Sequence, residues 1–232
     1  MSNIVKNIKK INDQIKAAAV RSGRNPNEIT LVAVSKRHPA DFIREAYEAG
    51  QRNFGENYAQ ELRDKAMELS DLPDIRWHFI GHLQSNKAKY VAPSITLMET
   101  VDKASLVTEL SRQAARFNRT IECLVQVNVG GEEQKSGCSP NDMEELLTTV
   151  EQSEGVTLNG LMTIPPWKID TNAARVYFAA LAKLRQEHGG AARLPHLSMG
   201  MSQDFEIAIE EGATLVRVGT AIFGERPAKV KA

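Results

Sequence analysis

The chain has 232 residues, of which 42% are hydrophobic and 25% are charged, an ordinary composition for one globular domain with a large core. Lysine plus arginine and aspartate plus glutamate each number 29, so the net charge is zero and offers no field for nucleic acid or an anionic membrane. No apolar run approaches the ~20 residues of a membrane span, and the amino terminus lacks the apolar core of a signal peptide. The sequence therefore predicts a cytosolic protein without nucleic-acid or membrane partners.

The spacing of apolar residues predicts alternating helices and strands along the chain. The isoleucines of residues 3–20 recur at helical spacing and predict an opening amphipathic helix, which Asn25-Pro26-Asn27 ends. Short apolar runs then predict eight strands, near Leu31, Arg52, Trp77, Ile95, Ile121, Val156, His196 and Leu215. Most gaps between them hold amphipathic segments, at residues 40–49, 59–69, 105–117, 142–152, 172–188 and 204–211.

The predicted strands do not alternate in polarity, which is typical of a parallel sheet covered by helices on its outer face. Eight βα units within one domain match a (β/α)8 barrel, in which the opening helix would replace the missing helix after the last strand. An open doubly wound sheet has a similar pattern and is the alternative. The sequence thus predicts an α/β fold: a single TIM-type (β/α)8 barrel domain over residues 1–232 with an extra N-terminal helix. Residues 226–232 are predicted to form a loose tail.

Lys36 is the first candidate for chemistry, because functional residues of such barrels lie at the carboxyl ends of the strands. It directly follows the apolar run that ends at Val34-Ser35. Partial desolvation there favours the neutral amine, whose lone pair can attack a carbonyl carbon and form a Schiff base. The alternative is an ordinary surface lysine at a strand end.

Two segments near the end of the chain predict a phosphate site. Ser198–Ser202 precedes a helical stretch; within it Gly200 permits close backbone approach and Ser202 can cap the helix. Gly219-Thr220 follows the eighth apolar run and adds amides and a hydroxyl. Barrels often bind phosphate with the loops after strands seven and eight, although each segment alone could be a turn with a cap.

Arg217 stands inside an apolar run, where strand alternation can point its guanidinium into the barrel. A buried guanidinium needs an acceptor, which could be a glutamate such as Glu56 or an atom of a ligand. The five histidines and the two cysteines, Cys123 and Cys138, match no metal-ligand spacing and imply no disulfide framework. Residues 135–137 predict a solvated basic turn.

Six segments carry a resemblance to a known family. They are Ala-Val-Ser-Lys at 33–36, Phe-Gly-Glu-Asn-Tyr at 54–58, Trp-His-Phe-Ile-Gly-His-Leu-Gln-Ser-Asn-Lys at 77–87, Gly-Leu-Met-Thr-Ile-Pro at 160–165, Leu-Ser-Met-Gly-Met-Ser at 197–202 and Val-Arg-Val-Gly-Thr-Ala-Ile-Phe-Gly at 216–224. Together they span nearly the whole chain. In these segments the sequence closely resembles the pyridoxal phosphate homeostasis proteins, whose fold is like the N-terminal domain of alanine racemase.

The resemblance implies pyridoxal 5′-phosphate (PLP) as cofactor and assigns its contacts. Lys36 would hold PLP as an aldimine, with Asn57 and Met201 near the ring and Arg217 facing the pyridine nitrogen. Ser202, Gly219 and Thr220 would bind the phosphate. No departure from the family's segments removes one of these contacts.

The resemblance also implies a role in intracellular PLP homeostasis and transfer without significant turnover. Arginine does not release its proton, so Arg217 would leave the ring nitrogen unprotonated and weaken electron withdrawal. We also expect no second domain to cover the barrel mouth. We expect a monomer that exchanges PLP with free amino acids or client PLP enzymes. The alternatives are a PLP-dependent amino-acid racemase and an aldolase that uses Lys36 on a sugar phosphate.

Overall fold

Eight parallel strands form a closed barrel in a computed structural model that describes residues 2–132, 134–166 and 170–225. The strands are β1 (Thr30–Val34), β2 (Asn53–Glu56), β3 (Arg76–Phe79), β4 (Ile95–Val101), β5 (Ile121–Gln126), β6 (Val156–Met162), β7 (His196–Met201) and β8 (Leu215–Val218). They pair in chain order, and β8 pairs back to β1. The barrel prediction is confirmed and the open sheet is excluded, because an open sheet would leave β1 and β8 as unpaired edges. The predicted loose tail at 226–232 lies outside the described residues.

Helices cover the outside of the barrel. They are α1 (Asn3–Arg21), α2 (Ala40–Glu48), α3 (Ala59–Glu68), α4 (Ala88–Val91), α5 (Ala104–Phe117), α6 (Met143–Gln152), α7 (Arg175–Glu187), α8 (Gly190–Arg193), α9 (Phe205–Glu210) and α10 (Thr220–Phe223). Short 3₁₀ turns occupy Pro26–Glu28, Ser85–Lys87 and Asn172–Ala174. The segment predicted as one helix over 172–188 is therefore a 3₁₀ turn that leads into α7. None of the helices in the described ranges has the length and apolarity to cross a bilayer.

The opening helix packs where the sequence predicts. The isoleucines of α1 are buried on one face, and Ser2 caps the helix by accepting a hydrogen bond from the N–H of Val5. α1 contacts α9, α10 and α2, so it fills the space between the last and first helices of the barrel. The four-residue helix α10 after β8 is an addition that the sequence pattern did not predict.

The hydrophobic core has two parts. The larger cluster joins the barrel's outer face to the helices, and it includes Trp77 and Phe79 of β3. A separate cluster comprises Val32, Leu97, Leu124, Met162 and Leu215. Leu215 lies two positions before Arg217 on β8 and Val32 is the register partner of Arg217, so this cluster shares the inner face of the barrel with that arginine. The barrel interior is therefore partly apolar and partly charged.

Candidate functional site

The residues predicted to form the site converge at the mouth of the barrel, at the carboxyl ends of strands that are consecutive around it. They are Met201 and Ser202 at the end of β7, Arg217, Gly219 and Thr220 in and after β8, Lys36 after β1, and Asn57 after β2. Pairing of β8 with β1 sets Val218 beside Ala33, and pairing of β7 with β8 sets Met201 beside Arg217. Closure of the barrel thus gathers residues from both ends of the sequence.

The turn that carries Lys36 is fixed by a buried ion pair beneath it. The hydroxyl of Ser35 donates to Glu56 Oε1 over 2.7 Å. Lys65 of α3, whose side chain is 8% exposed, donates to Glu56 Oε1 over 2.7 Å and to the carbonyl oxygen of Ser35 over 2.8 Å. Lys36 itself is half-buried. The backbone at the attachment point of its side chain is thereby held from two sides.

A second carboxylate completes the support of this turn. Glu61 Oε1 accepts hydrogen bonds from Lys65 Nζ, over 2.7 Å, and from the backbone N–H of Arg37. Arg37 has a φ of 66°, a left-handed conformation that costs a non-glycine residue roughly 1 kcal/mol or more. The contact with Glu61 helps to keep the chain in this conformation just after Lys36. The sequence analysis missed Lys65 and Glu61, whose only local signal is their i, i+4 spacing.

Glu56 is the group in this cluster whose titration is most altered. Burial raises the pKa of its carboxyl group to about 7, against the opposing effect of the Lys65 ammonium, and the nearby Glu61 adds to the increase. Its second oxygen, Oε2, is buried and has no hydrogen-bond partner among the described residues. Glu56 therefore changes its charge near neutral pH directly beneath the Lys36 turn.

Arg217 points into the barrel, as the alternation of β8 predicts, and is 4% exposed. Its Nη1 donates to the hydroxyl oxygen of Ser198 and lies 3.8 Å from Glu99 Oε2, while Nη2 donates to the carbonyl oxygen of Thr163 over 2.9 Å. Glu56, which the sequence suggested as a partner, is not the acceptor, because its carboxylate faces out of the barrel and pairs with Lys65 of α3.

Glu99 of β4 is the buried anion that compensates Arg217. It accepts hydrogen bonds from the Ser198 hydroxyl and from Nδ1 of His78, the latter over 2.7 Å. Burial by itself would raise the pKa of Glu99, but its contacts with His78, Arg217 and Ser198 outweigh burial and hold the pKa below its usual value. The sequence analysis missed Glu99, although a glutamate inside the apolar run of β4 is a signal that a buried cation lies opposite.

The predicted phosphate loops form a concentration of hydrogen-bond donors. The N–H of Gly219 reaches the Ser202 hydroxyl oxygen at 3.4 Å, so the two loops meet. Thr220 begins α10, and the first N–H groups of a helix have no acceptor within it. A Cβ added to Gly219 would lie 3.1 Å from the carbonyl oxygen of Val34, so any larger residue would crowd this close approach of β8 to β1.

The turn after β7 differs from the prediction in one detail. Gly200 has a φ of 91°, and a Cβ there would lie 2.5 Å from the Cβ of Ala208, which confirms the predicted close approach. Asp204, however, occupies the N-cap position of α9, and its Oδ1 accepts the N–H of Met201 over 2.6 Å. Ser202 is therefore not the helix cap, and its hydroxyl faces Gly219 instead.

The other half of the mouth is a pocket of about 300 Å³ between the ends of β2 and β6. Asn57 lines it, and the side-chain oxygen of Asn57 is buried without a partner among the described residues. Lys135 donates to the carbonyl oxygen of Pro165 over 2.9 Å, and Ser136 lies 3.3 Å from Nδ1 of His82. Ser136 is exposed and Lys135 is partly buried, so the segment predicted as a solvated turn at 135–137 lies at the rim of this pocket.

The described residues contain no cluster of histidine, cysteine, aspartate and glutamate side chains arranged to hold a metal ion. Burial raises the pKa of both cysteine thiols, Cys123 and Cys138, to about 12, so both remain protonated and unreactive at neutral pH. The chemistry of this barrel therefore concentrates on the amine of Lys36 and the polar groups around it.

Comparisons with known proteins agree with this geometry. The profile of the family "Alanine racemase, N-terminal domain" matches residues 5–227, so the chain belongs to this family of barrel domains. The pyridoxal phosphate homeostasis proteins of Pseudomonas aeruginosa and Aquifex aeolicus are 45% and 43% identical to it; each alignment covers 97% of this chain and, respectively, 97% and 99% of the relative. The structure of PipY from Synechococcus elongatus PCC7942 with PLP bound has a TM-score of 0.79 and 38% identity, over 95% of this chain and 100% of that one. The chain thus belongs, within the racemase-domain family, with the pyridoxal phosphate homeostasis proteins.

The first prediction concerns the pH dependence of stability. The folded pKa of Glu56, about 7, lies above its ordinary value of 4.5, so the folded state binds this proton more tightly than the unfolded state. The resulting stabilisation is present at low pH and is lost as the pH rises through about 7. We expect the free energy of unfolding to fall less steeply between about pH 5 and about pH 8 in Glu56→Gln than in the wild type, as measured by urea denaturation.

Glu68→Gln is the matched control, because Glu68 lies exposed at the end of α3. The free energy of unfolding of Glu68→Gln should change with pH as that of the wild type does. Parallel profiles for Glu56→Gln and the wild type would contradict the assignment of this titration to Glu56.

Proposed function

We propose that this protein binds PLP at the mouth of a single barrel domain, residues 1–232, and serves PLP homeostasis by holding the cofactor and handing it over, without significant catalytic turnover. The observation that carries the proposal is the convergence of a lysine, a set of phosphate donors and a buried arginine at neighbouring strand ends. The names of the relatives and the PLP-bound structure of PipY support it.

The residues present fit the phosphate of PLP. Ser202 and Thr220 supply hydroxyl groups, and Gly219 and the first turn of α10 supply N–H groups, so the loops after β7 and β8 offer mainly donors to an anion. The unpartnered side-chain oxygen of Asn57 fits a donor on a ligand in the same mouth. Met201, 38% exposed at the end of β7, offers apolar surface for a ring.

Lys36 is the proposed attachment point. When bound, PLP supplies an aldehyde that links reversibly to amines and a ring that withdraws electrons from the linked group. Lys36 extends from a turn whose backbone Lys65 and Glu61 hold in place, so the point from which its side chain would hold the cofactor is fixed. Glu56, beneath this turn, is positioned to take up or release a proton near neutral pH.

Arg217 would limit catalysis. Burial lowers the pKa of Arg217, the charge of Glu99 opposes that shift, and the hydrogen bond to Ser198 fixes the direction of the guanidinium within the barrel. A guanidinium can donate hydrogen bonds but cannot supply a proton, so a ring nitrogen placed against Arg217 stays unprotonated and withdraws electrons weakly. Such an environment favours storage and transfer of the cofactor over proton abstraction from a bound amino acid.

The proposal extends to partners and location. Free amino acids and client PLP enzymes are the proposed recipients, because both present the amines with which an attached aldehyde exchanges. We propose that a cytosolic monomer performs this exchange.

The second prediction concerns attachment. Lys36→Ala should abolish the visible absorption band of the PLP-loaded protein while its circular dichroism stays unchanged, because the amine of Lys135, which borders the mouth pocket, is held by Glu132 and by the carbonyl oxygen of Pro165. In the wild type, borohydride reduction followed by peptide mapping should place the label on Lys36.

Lys103→Ala is the matched control, since Lys103 stands two positions after β4 as Lys36 stands two positions after β1. This variant should retain the band. A band that persists in Lys36→Ala, or a label on another lysine, would refute the attachment.

The third prediction concerns the phosphate. Charge-assisted hydrogen bonds contribute about 1.5–3 kcal/mol each, so the protein should bind PLP at least about tenfold more tightly than pyridoxal in fluorescence titrations. The double substitution Ser202→Ala with Thr220→Val should lower the ratio of the affinity for PLP to the affinity for pyridoxal. The control Thr108→Val removes an exposed hydroxyl on α5 that bonds only the carbonyl oxygen of Ala104. Equal affinity for PLP and pyridoxal in the wild type would exclude the proposed phosphate site.

The fourth prediction concerns turnover. L-amino acids should change the absorption spectrum of the PLP-loaded protein without exchanging their α-protons for deuterium above background, because Arg217 weakens the electron withdrawal that proton abstraction requires. Proton NMR in heavy water measures the exchange, with Lys36→Ala as background and an alanine racemase as positive control. Lys36-dependent exchange faster than about 1 s⁻¹, a rate typical of enzymes, would make the racemase alternative correct.

A further inference from the structure

A second cleft lies at the opposite end of the barrel from the mouth. It has a volume of about 490 Å³ and is bordered by the amino ends of β7 and β8. Its lining includes Arg24, which follows α1, Arg185 of α7, His196 and Thr214. The proposed function uses none of these residues.

Arg185 is the unusual side chain of this cleft. Its Nε is buried without a hydrogen-bond partner, and no carboxylate of the described ranges lies within ion-pair distance of it. Burial lowers the pKa of Arg185, and the positive charge of Arg24 lowers it further. A buried guanidinium nitrogen without an acceptor is costly, so this position favours an anion from outside the protein.

Arg24 contributes a second, fixed cation to the same cleft. Its Nη1 donates to the carbonyl oxygens of Ile209 and Ala213 over 2.9 Å and 2.7 Å. Its Nη2 lies 3.7 Å from Glu28, whose side chain is 56% exposed. The lining of the cleft thus holds two guanidinium groups and one carboxylate, and among the described residues that carboxylate pairs with Arg24 alone.

His196 adds a neutral donor. The side-chain oxygen of Thr214 accepts the N–H of Leu197 over 2.9 Å, so its hydroxyl hydrogen is available to Nδ1 of His196 at 3.3 Å. Burial lowers the pKa of His196, which keeps the ring neutral. With Nδ1 acting as acceptor, the ring proton lies on Nε2, which can donate to a ligand.

We propose that this cleft binds a small oxyanion, a phosphate or a polycarboxylate, between Arg24 and Arg185 with His196 as an additional donor. Guanidinium groups match the geometry of phosphate and carboxylate oxygens with paired hydrogen bonds. The volume exceeds that of a single phosphate group, so a metabolite that carries one or more such groups fits the cleft. The site is separate from the mouth, at the other end of the strands.

The test uses the PLP-loaded protein, titrated with inorganic pyrophosphate and, separately, with citrate by calorimetry. Arg185→Gln is the informative variant, because this side chain makes no hydrogen bond to another described residue and its loss should leave the fold intact. Arg116→Gln on the exposed surface of α5 removes the same charge elsewhere. We expect saturable binding in the wild type and in Arg116→Gln, and at least about tenfold weaker binding in Arg185→Gln.

Backbone amide NMR shifts locate the binding. Shifts at Gly212 and Thr214 support the cleft, whereas shifts confined to Gly219 and Thr220 would place the anion at the mouth and overturn the proposal. The probe that binds with the higher affinity identifies the ligand class as phosphate or carboxylate. Binding of either probe in the cleft supports the site. Failure of both probes to bind, or equal binding to wild type and Arg185→Gln, would overturn it whether or not Lys36 holds PLP.

Discussion

The hydrogen bonds between β1 and β8 close the sheet into a barrel, and the site exists only because of that closure. In the closed register, Val32 pairs with Arg217 and Ala33 with Val218, so the end of the first strand meets the end of the last. Parallel strands send all their carboxyl ends to the same side, so this pairing brings Lys36 next to the loop that holds Gly219 and Thr220. An open sheet of the same strands would place the amine and the phosphate donors at opposite edges.

Closure also creates an interior that is divided along the barrel axis. One layer of the interior is filled by apolar side chains, as is usual for such barrels. They are those of Val32, Leu97, Leu124, Met162 and Leu215. The next layer toward the mouth holds Arg217, Glu99 and His78, whose burial is tolerable because each of these polar side chains has a close partner. Removal of one partner from such a pair costs about 3–5 kcal/mol, since the remaining charge stays buried. This charged layer forms the floor of the mouth and fixes Arg217 in the donor orientation.

The sequence predicted features that depend on local patterns. The isoleucine spacing of α1 and the apolar runs of the strands follow from periodicity within a few residues, and residues at strand ends, such as Lys36, can be located without knowledge of the packing. Features that depend on register across the barrel could not be predicted. Arg217 pairs with Glu99 instead of Glu56 because Glu99 faces the barrel interior, whereas Glu56 faces outward to Lys65 of α3. The fold of the loop at the rim of the mouth likewise depends on contacts between distant segments, such as Lys135 with Pro165.

The arginines of the outer surface show why the cleft at the amino ends of the strands differs from the rest of the molecule. Arg193 pairs with Glu144 and Glu151, and Arg175 pairs with Glu210 and Glu211, so arginines that join helices have carboxylates within reach. The amino-end face of a barrel ordinarily contributes stability. Arg185 forms no ion pair with another described residue and so adds no stability in that way. Its repulsion from Arg24 opposes folding. An anion bound in the cleft would neutralise this charge, and the barrel would then bind anions at both ends.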